Sequence, residues 1–156
     1  MSLKEELGFK NPIRLGQHEA ILNVYYTGTG FKKWITEFLK QYGLTDVQFN
    51  VMLLLGTQSN DDGGLSQAQL SDMMLVNRAN ITSLIDRMEK TNLVKRTAAD
   101  DRRYNIIKLT AKGKALLEKV DPIYAKEVKR VMSCLSESEQ KKLISMLEKI
   151  RGQINR

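Results

Sequence analysis

Between Leu65 and Thr110 the hydrophobic pattern runs helix, break, helix, then turns to strands, and few folds accommodate that order. Ser66-Gln67-Ala68-Gln69 is a capping-box pattern, in which the Ser and Gln side chains each satisfy an amide left open at a helix start. Leu70, Met73 and Met74 follow as apolar positions at helical spacing. Leu75-Val76-Asn77 breaks the run, and Asn77 is a good N-cap for a second helix. That helix places Ile81, Leu84, Ile85 and Met88 on one face, in steps of three and four. Arg78, Asn80, Thr82, Ser83, Arg87 and Lys90 are left for solvent or a partner. Two short helices about a tight turn, the second with a polar face, make a helix-turn-helix.

A hairpin completes the unit. Leu93-Val94-Lys95-Arg96-Thr97 is strand-favouring, and Ala98-Ala99-Asp100-Asp101 is turn-like. Arg102-Arg103 follows, and Tyr104-Asn105-Ile106-Ile107-Lys108-Leu109 returns as a second strand. A helix-turn-helix followed by a two-stranded wing, here about 93–109, is a winged helix. Its tip carries two adjacent arginines.

The flanks are helical. The first dozen residues, through Asn11-Pro12, read as a mobile arm or a first short turn. From about Gln17 to Tyr42, the residues Ile21, Val24, Gly28, Phe31, Ile35, Phe38 and Tyr42 form a heptad-like seam. Gly28 on that seam admits two readings, close approach of another helix or ligand, or a kink between two shorter helices. Thr27-Gly28-Thr29-Gly30 lacks the preceding strand and the Gly-Lys-Ser/Thr of a phosphate loop. Gly43 ends the helix, and Thr45-Asp46-Val47-Gln48 caps another, with Phe49, Met52, Leu53 and Gly56 on its buried face. Ser59 to Gly64 is a polar loop without the spacing of a calcium loop. After the wing, Thr110-Ala111-Lys112-Gly113 starts a long helix through Leu116, Leu117, Val120, Tyr124, Val128, Val131 and Leu135, which Pro122 can bend. Ser136 to Glu139 caps a last helix with the stripe Leu143, Met146, Leu147, Ile150 and Ile154. That stripe exceeds what one winged helix needs, so the first and last helices read together as a dimerisation domain. A self-contained helical layer is the competing reading.

Composition narrows the function. A chain of 156 residues with 42% apolar and 28% charged residues suits one globular domain with a helical extension. A net charge of +7 favours a polyanionic partner. One cysteine, Cys134, and one histidine, His18, exclude an internal disulfide framework and an ordinary His/Cys zinc site. The same inventory offers no convergent nucleophile, base and orienter, so an enzyme is not expected. No apolar run reaches membrane-spanning length, and Met1-Ser2-Leu3-Lys4-Glu5-Glu6 lacks a signal-peptide core, so a cytoplasmic protein is expected.

These residues resemble the MarR-type winged-helix transcriptional regulators. The likeness runs from about Gln17 to Ile154 and is most specific at Val76–Thr82, Leu84–Glu89, Leu93–Arg96 and Asp100-Asp101-Arg102-Arg103. It implies a mostly α fold with a small β-wing. A helical dimerisation domain is expected from 1–44 and 112–156, and a winged helix-turn-helix domain from 45–111. It also implies a homodimer on double-stranded DNA at a pseudo-palindromic operator, read as a repressor with activation left open; no cofactor or metal is expected. A protein-interaction module, or a non-specific architectural DNA-binding module, is the alternative.

Asn77, Arg78, Asn80, Thr82, Ser83 and Arg87 are the candidate recognition-helix contacts. Arginine bonds guanine bidentately, asparagine pairs with adenine, and hydroxyls reach bases or phosphates. Ser66, Gln67 and Gln69, at a helix N-terminus, are candidate phosphate contacts, as are Lys95 and Arg96 on the hairpin. In the wing the candidates are Asp101, Arg102 and Arg103. The resemblance implies an Asp86–Arg103 salt bridge locking wing to helix, which leaves Arg102 for the minor groove. Many such proteins release DNA when a small, often phenolic or aromatic, molecule or an oxidant acts on them, and the expected ligand pocket lies between the long helices and the winged helix. Tyr25, Tyr26, Trp34 and Phe49, with His18 as polar partner, are the candidate lining, and core packing is their competing role. The peroxide-sensing branch of the family uses a cysteine near the N-terminus, so Cys134 reads as structural.

Overall fold

The computed structural model describes residues 1–59, 63–74, 78–98 and 105–154, with only the backbone course at 78–79. In chain order the elements are α1 (Leu3–Glu6), α2 (Gly16–Lys40), α3 (Asp46–Thr57), β1 (Leu65–Ser66) and α4 (Gln67–Met74). There follow α5 (Arg78–Lys90), β2 (Val94–Ala98), β3 (Asn105–Leu109), α6 (Ala111–Met132) and α7 (Glu137–Ile154). The chain is mostly α with a small antiparallel sheet of order β1-β3-β2. The expected Asn77 cap and the wing tip, Asp100 to Arg103, lie outside the described residues.

Local signals set most boundaries. At Thr45 and at Ser66 the hydroxyl accepts the amide three residues on, and the Gln there, Gln48 or Gln69, accepts the cap's own amide. Ser136 and Glu139 make the same reciprocal pair before α7. Ser2 and Glu5 do so as well, so the expected arm begins with one helical turn. Gly43, at φ +67, turns the chain after α2, where a side chain is disfavoured.

Three differences from the sequence reading have physical causes. The wing is part of a three-stranded sheet, because Leu65 and Ser66 pair with Ile107 and Ile106. Met73 is 45% exposed, while Leu70 and Met74 carry the buried face of α4. Finally, Gly28, read either as a close approach or as a kink between two helices, shows neither within the chain: α2 is one uninterrupted helix, and a Cβ at Gly28 or Gly30 would meet nothing within 4 Å.

The core lies where the winged-helix unit meets the second half of α2 and the first half of α6. Leu39, Phe49, Met52, Leu65, Leu70, Ile85, Met88, Val94, Ile107 and Val120 are all but fully buried in it. Each removes apolar surface from water at roughly 25 cal/mol per Å².

The start of α6 is seated on the turn that follows α5. Asn92, at φ +60, reverses the chain there. The Thr110 amide donates to the Leu93 carbonyl at 3.1 Å, and the Thr110 hydroxyl donates to the Asn92 carbonyl at 2.6 Å. Lys112 Nζ donates to the Thr91 carbonyl at 2.8 Å. Gly113 permits this approach, since a Cβ there would stand 2.1 Å from the Leu93 oxygen. Gly113→Ala is therefore expected to cost about 1–3 kcal/mol, the range for forcing a group into a filled site. Urea unfolding of the two proteins measures it.

Candidate nucleic-acid interface

Helix α5 divides cleanly. Ile81, Leu84, Ile85 and Met88 are buried, and Asn80, Thr82, Ser83, Asp86, Arg87 and Lys90 are exposed. The exposed face has two strips. Asn80, Ser83 and Arg87, at i, i+3 and i+7, form one without carboxylates; Thr82, Asp86 and Glu89, at i, i+4 and i+7, form the other. Arg87 lies along its own helix, its Nε donating to the Ser83 carbonyl at 3.2 Å. A bond of that kind is readily exchanged for a charge-assisted one. Asn77 and the side chain of Arg78 lie outside the described residues.

The preceding helix is joined to this face. Gln67 Nε2 donates to Thr82 Oγ1 at 3.1 Å, linking the start of α4 to the recognition helix. Ser66 and Gln69, expected as phosphate contacts, spend their side-chain oxygens on each other's amides in the capping box. Thr82 is thus already engaged, and Asn80 and Ser83 have the more open surroundings.

The hairpin alternates as strands do. Val94 and Arg96 lie on the side of the core, and Lys95 on the opposite side, directly across from Lys108. Like charges directly opposite one another oppose strand pairing, and a polyanion laid across them relieves that repulsion. Arg96 departs from the sequence reading. Expected as a backbone contact, it is turned to α5, where its guanidinium bonds Asp86 Oδ1 at 2.6 Å and also Glu89 Oε2. The Arg96 amide donates to the other Glu89 oxygen at 2.8 Å. Burial alone would lower the Arg96 pKa, but the bond to Asp86 and the charges of Glu89 and Asp86 outweigh it and raise the value. Asp86 therefore has a wing partner ten residues along the chain. Its expected partner, Arg103, lies outside the described residues, as do Asp101 and Arg102.

Away from this face, α2, α3 and α6 enclose an open, mostly apolar cleft of about 470 Å³. Phe31, Trp34, Val47, Phe49, Tyr124 and Val128 line it, with Lys32, Asp46 and Asn50 as its polar members. Trp34 stacks on Tyr124 at 6.2 Å, and Phe49 meets Tyr124 edge-on at 5.1 Å. Of the expected lining residues, Trp34 and Phe49 are brought here. His18, Tyr25 and Tyr26 are not: they lie in the first half of α2, where all three are exposed. Tyr124, Val128 and Met132, on α6, are among the members the sequence did not point to; helical spacing marks the first two only as core.

Burial, with a smaller contribution from Asp121, raises the Tyr124 phenol above its ordinary pKa. A raised folded-state value means stability present below the ordinary phenol pKa is lost as pH climbs through the folded value. Tyr124→Phe should flatten that alkaline decline, read as melting temperature from pH 9 to 11 in steps of about half a unit.

Comparisons with known proteins agree with this geometry. The sequence matches the model of the MarR family over residues 42–103. The helix-turn-helix-type transcriptional regulator YkoM of Bacillus subtilis is 34% identical over 111 residues, covering 70% of this chain and 70% of its own. PrsX of Escherichia coli, a regulator of the same type, is 32% identical over 124 residues, 74% of each chain. AbsC, a MarR family transcriptional regulator from Streptomyces coelicolor, matches with a TM-score of 0.82 at 20% identity, over 93% of this chain and 99% of that one. MepR of S. aureus, crystallised with DNA, matches with a TM-score of 0.76 at 21% identity, over 84% and 93%.

Proposed function

The chain belongs to the MarR family of transcriptional regulators, and from that premise we propose that it is a homodimeric repressor of a pseudo-palindromic operator. The observation that carries the reading is α5, which buries its apolar positions completely and leaves a strip of Asn80, Ser83 and Arg87 free of carboxylates. Two such helices in a dimer enter successive major grooves about 34 Å apart. Asn80, Ser83 and Arg87 read base edges, with Asn77 and Arg78 completing the set at the start of the helix. Gln67 holds Thr82 at the margin, and Lys95 and Lys108 supply phosphate attraction from the wing. Arg102 enters the minor groove, with Arg103 and Asp101 shaping the tip. The MepR structure with DNA supports this placement as a precedent for the fold.

Dimerisation is assigned to residues 1–44 and 112–156, around a DNA-binding unit at 45–111. Among the described residues none of α7 is buried, and Met146, Ile150 and Ile154 remain exposed along its stripe. Ile21, Val24, Tyr25 and Phe31 are exposed on α2. Apolar area on that scale favours association. The cleft about Trp34, Phe49 and Tyr124 is the place for a small aromatic effector, whose apolar walls and few polar groups suit such a ligand. No described helix is long and apolar enough to cross a membrane.

Selection of genomic DNA fragments by the purified protein, at near-physiological salt, should enrich an inverted repeat with half-sites about one helical turn apart. Salt-sensitive binding with no enriched sequence would instead identify a non-specific architectural protein. On the selected operator, Asn80→Ala should cost about 1–3 kcal/mol, while a random duplex binds it as it binds the parent. Ile150→Glu should sediment as a folded monomer that no longer retains the operator. Dimers of unchanged strength would remove α7 from the interface.

A further inference from the structure

The cluster of Arg96, Asp86 and Glu89 joins the wing to the recognition helix, and its chemistry differs from that of the surrounding surface. Arg96 projects from the core side of β2 toward the last turns of α5, and its side chain is 23% exposed. Asp86 and Glu89 close on it from successive turns of one strip. Glu89 holds the strand twice, by the guanidinium and by the Arg96 amide. Three hydrogen-bonded contacts between one strand residue and one helix leave the hairpin little freedom to swing.

The electrostatics point the same way. Two carboxylates on a helix that faces phosphates weaken binding unless they are compensated. Arg96 compensates one and is itself consumed in doing so, leaving the cluster at one net negative charge. A cation so engaged has little left to offer a phosphate. Lys95, one residue earlier and on the other side of the strand, is exposed and free to do so.

We propose that Arg96, gripped by Asp86 and Glu89, is a positioning residue that sets the wing against the recognition helix and takes no part in phosphate binding. The proposal rests on the operator-binding reading and names the element that gives it specificity. Because the grip fixes where the wing lies relative to the bases read by α5, its loss lowers discrimination between sequences. The attraction to DNA in general falls only by the one carboxylate left uncompensated.

Arg96→Met keeps the apolar stem and removes the charge. Its affinity for the selected operator and for a random duplex of equal length is measured across a salt series, with Lys95→Met as comparator. Arg96→Met should lose ten- to a hundredfold on the operator and several times less on the random duplex, where only the newly uncovered carboxylate counts, with the salt slope unchanged. Lys95→Met should weaken both duplexes alike and reduce the slope by about 0.9, as for one lost phosphate contact. Adding Glu89→Gln to Arg96→Met should cost little more on the operator, since both changes break one linkage. A reduced slope and equal weakening on both duplexes, or additive losses in the double variant, would make Arg96 a phosphate contact and overturn the proposal. A second measurement needs no DNA. Amide hydrogen exchange in β2 and β3 should accelerate at least tenfold in Arg96→Met while the α3 amides keep their rates, and unchanged wing exchange would overturn the positioning role. A parent protein that selects no sequence would defeat the operator reading alone, and the exchange rates would still decide whether Arg96 holds the wing.

Discussion

The seating of the first turn of α6 on the turn after α5 is the contact on which the rest of the arrangement depends. The carbonyls of Thr91, Asn92 and Leu93 emerge at the end of the recognition helix, where no further helical amide can reach them. Thr110 and Lys112 take all three. Where the recognition helix ends, where the first wing strand begins and where the long helix starts are thereby fixed together. The Thr110 hydroxyl also accepts the Gly113 amide, so one side chain both caps α6 and closes the junction. The far half of α6 lines the aromatic cleft, and the same helix thus meets both the proposed effector site and the turn that ends the proposed DNA-reading helix.

Burial is distributed unevenly, and that distribution carries a functional meaning. Nearly all of the buried apolar residues lie between Leu39 and Val120. Outside that span the helices are as apolar in pattern but bury little: α2 buries only Leu39, and α7 nothing among the described residues. A long helix with an uncovered stripe has weak grounds for staying folded in water, because helical stability in proteins comes mainly from packing. That uncovered apolar surface on the chain ends is what the proposed dimer would bury, while the middle holds its core within one chain.

Much of this was legible because its signals are local. Four residues decide a capping box, and those at Thr45, Ser66 and Ser136 can be read directly. Ser2-Leu3-Lys4-Glu5 carries the same signal, in a segment that reads only as an arm or a first turn. The buried face of α5 follows from period alone. What was not legible depends on partners distant in sequence. Leu65-Ser66 is too short to read as a strand and becomes one only beside Ile106 and Ile107. Met73 has the right spacing for the core and the wrong neighbours. Trp34 shares a cleft with Tyr124, ninety residues away, whereas Tyr25, far nearer in sequence and on the same helix, lies outside it and is exposed. The resemblance offered Asp86 one partner, Arg103, and only the pairing of the hairpin against α5 brings Arg96 within reach as well.

One detail of the wing bears on how the protein survives at high concentration. β2 is an edge of its sheet, and an edge displays unpaired amides that a second molecule can extend into a continuous ribbon. Glu89 occupies one of those amides with a carboxylate, from within the same chain. Pairing with a foreign strand would have to displace a charge-assisted bond and bring its own backbone up against Asp86 and Glu89. The carboxylate of Glu89 thus also covers one amide of the sheet's edge, from within the same chain.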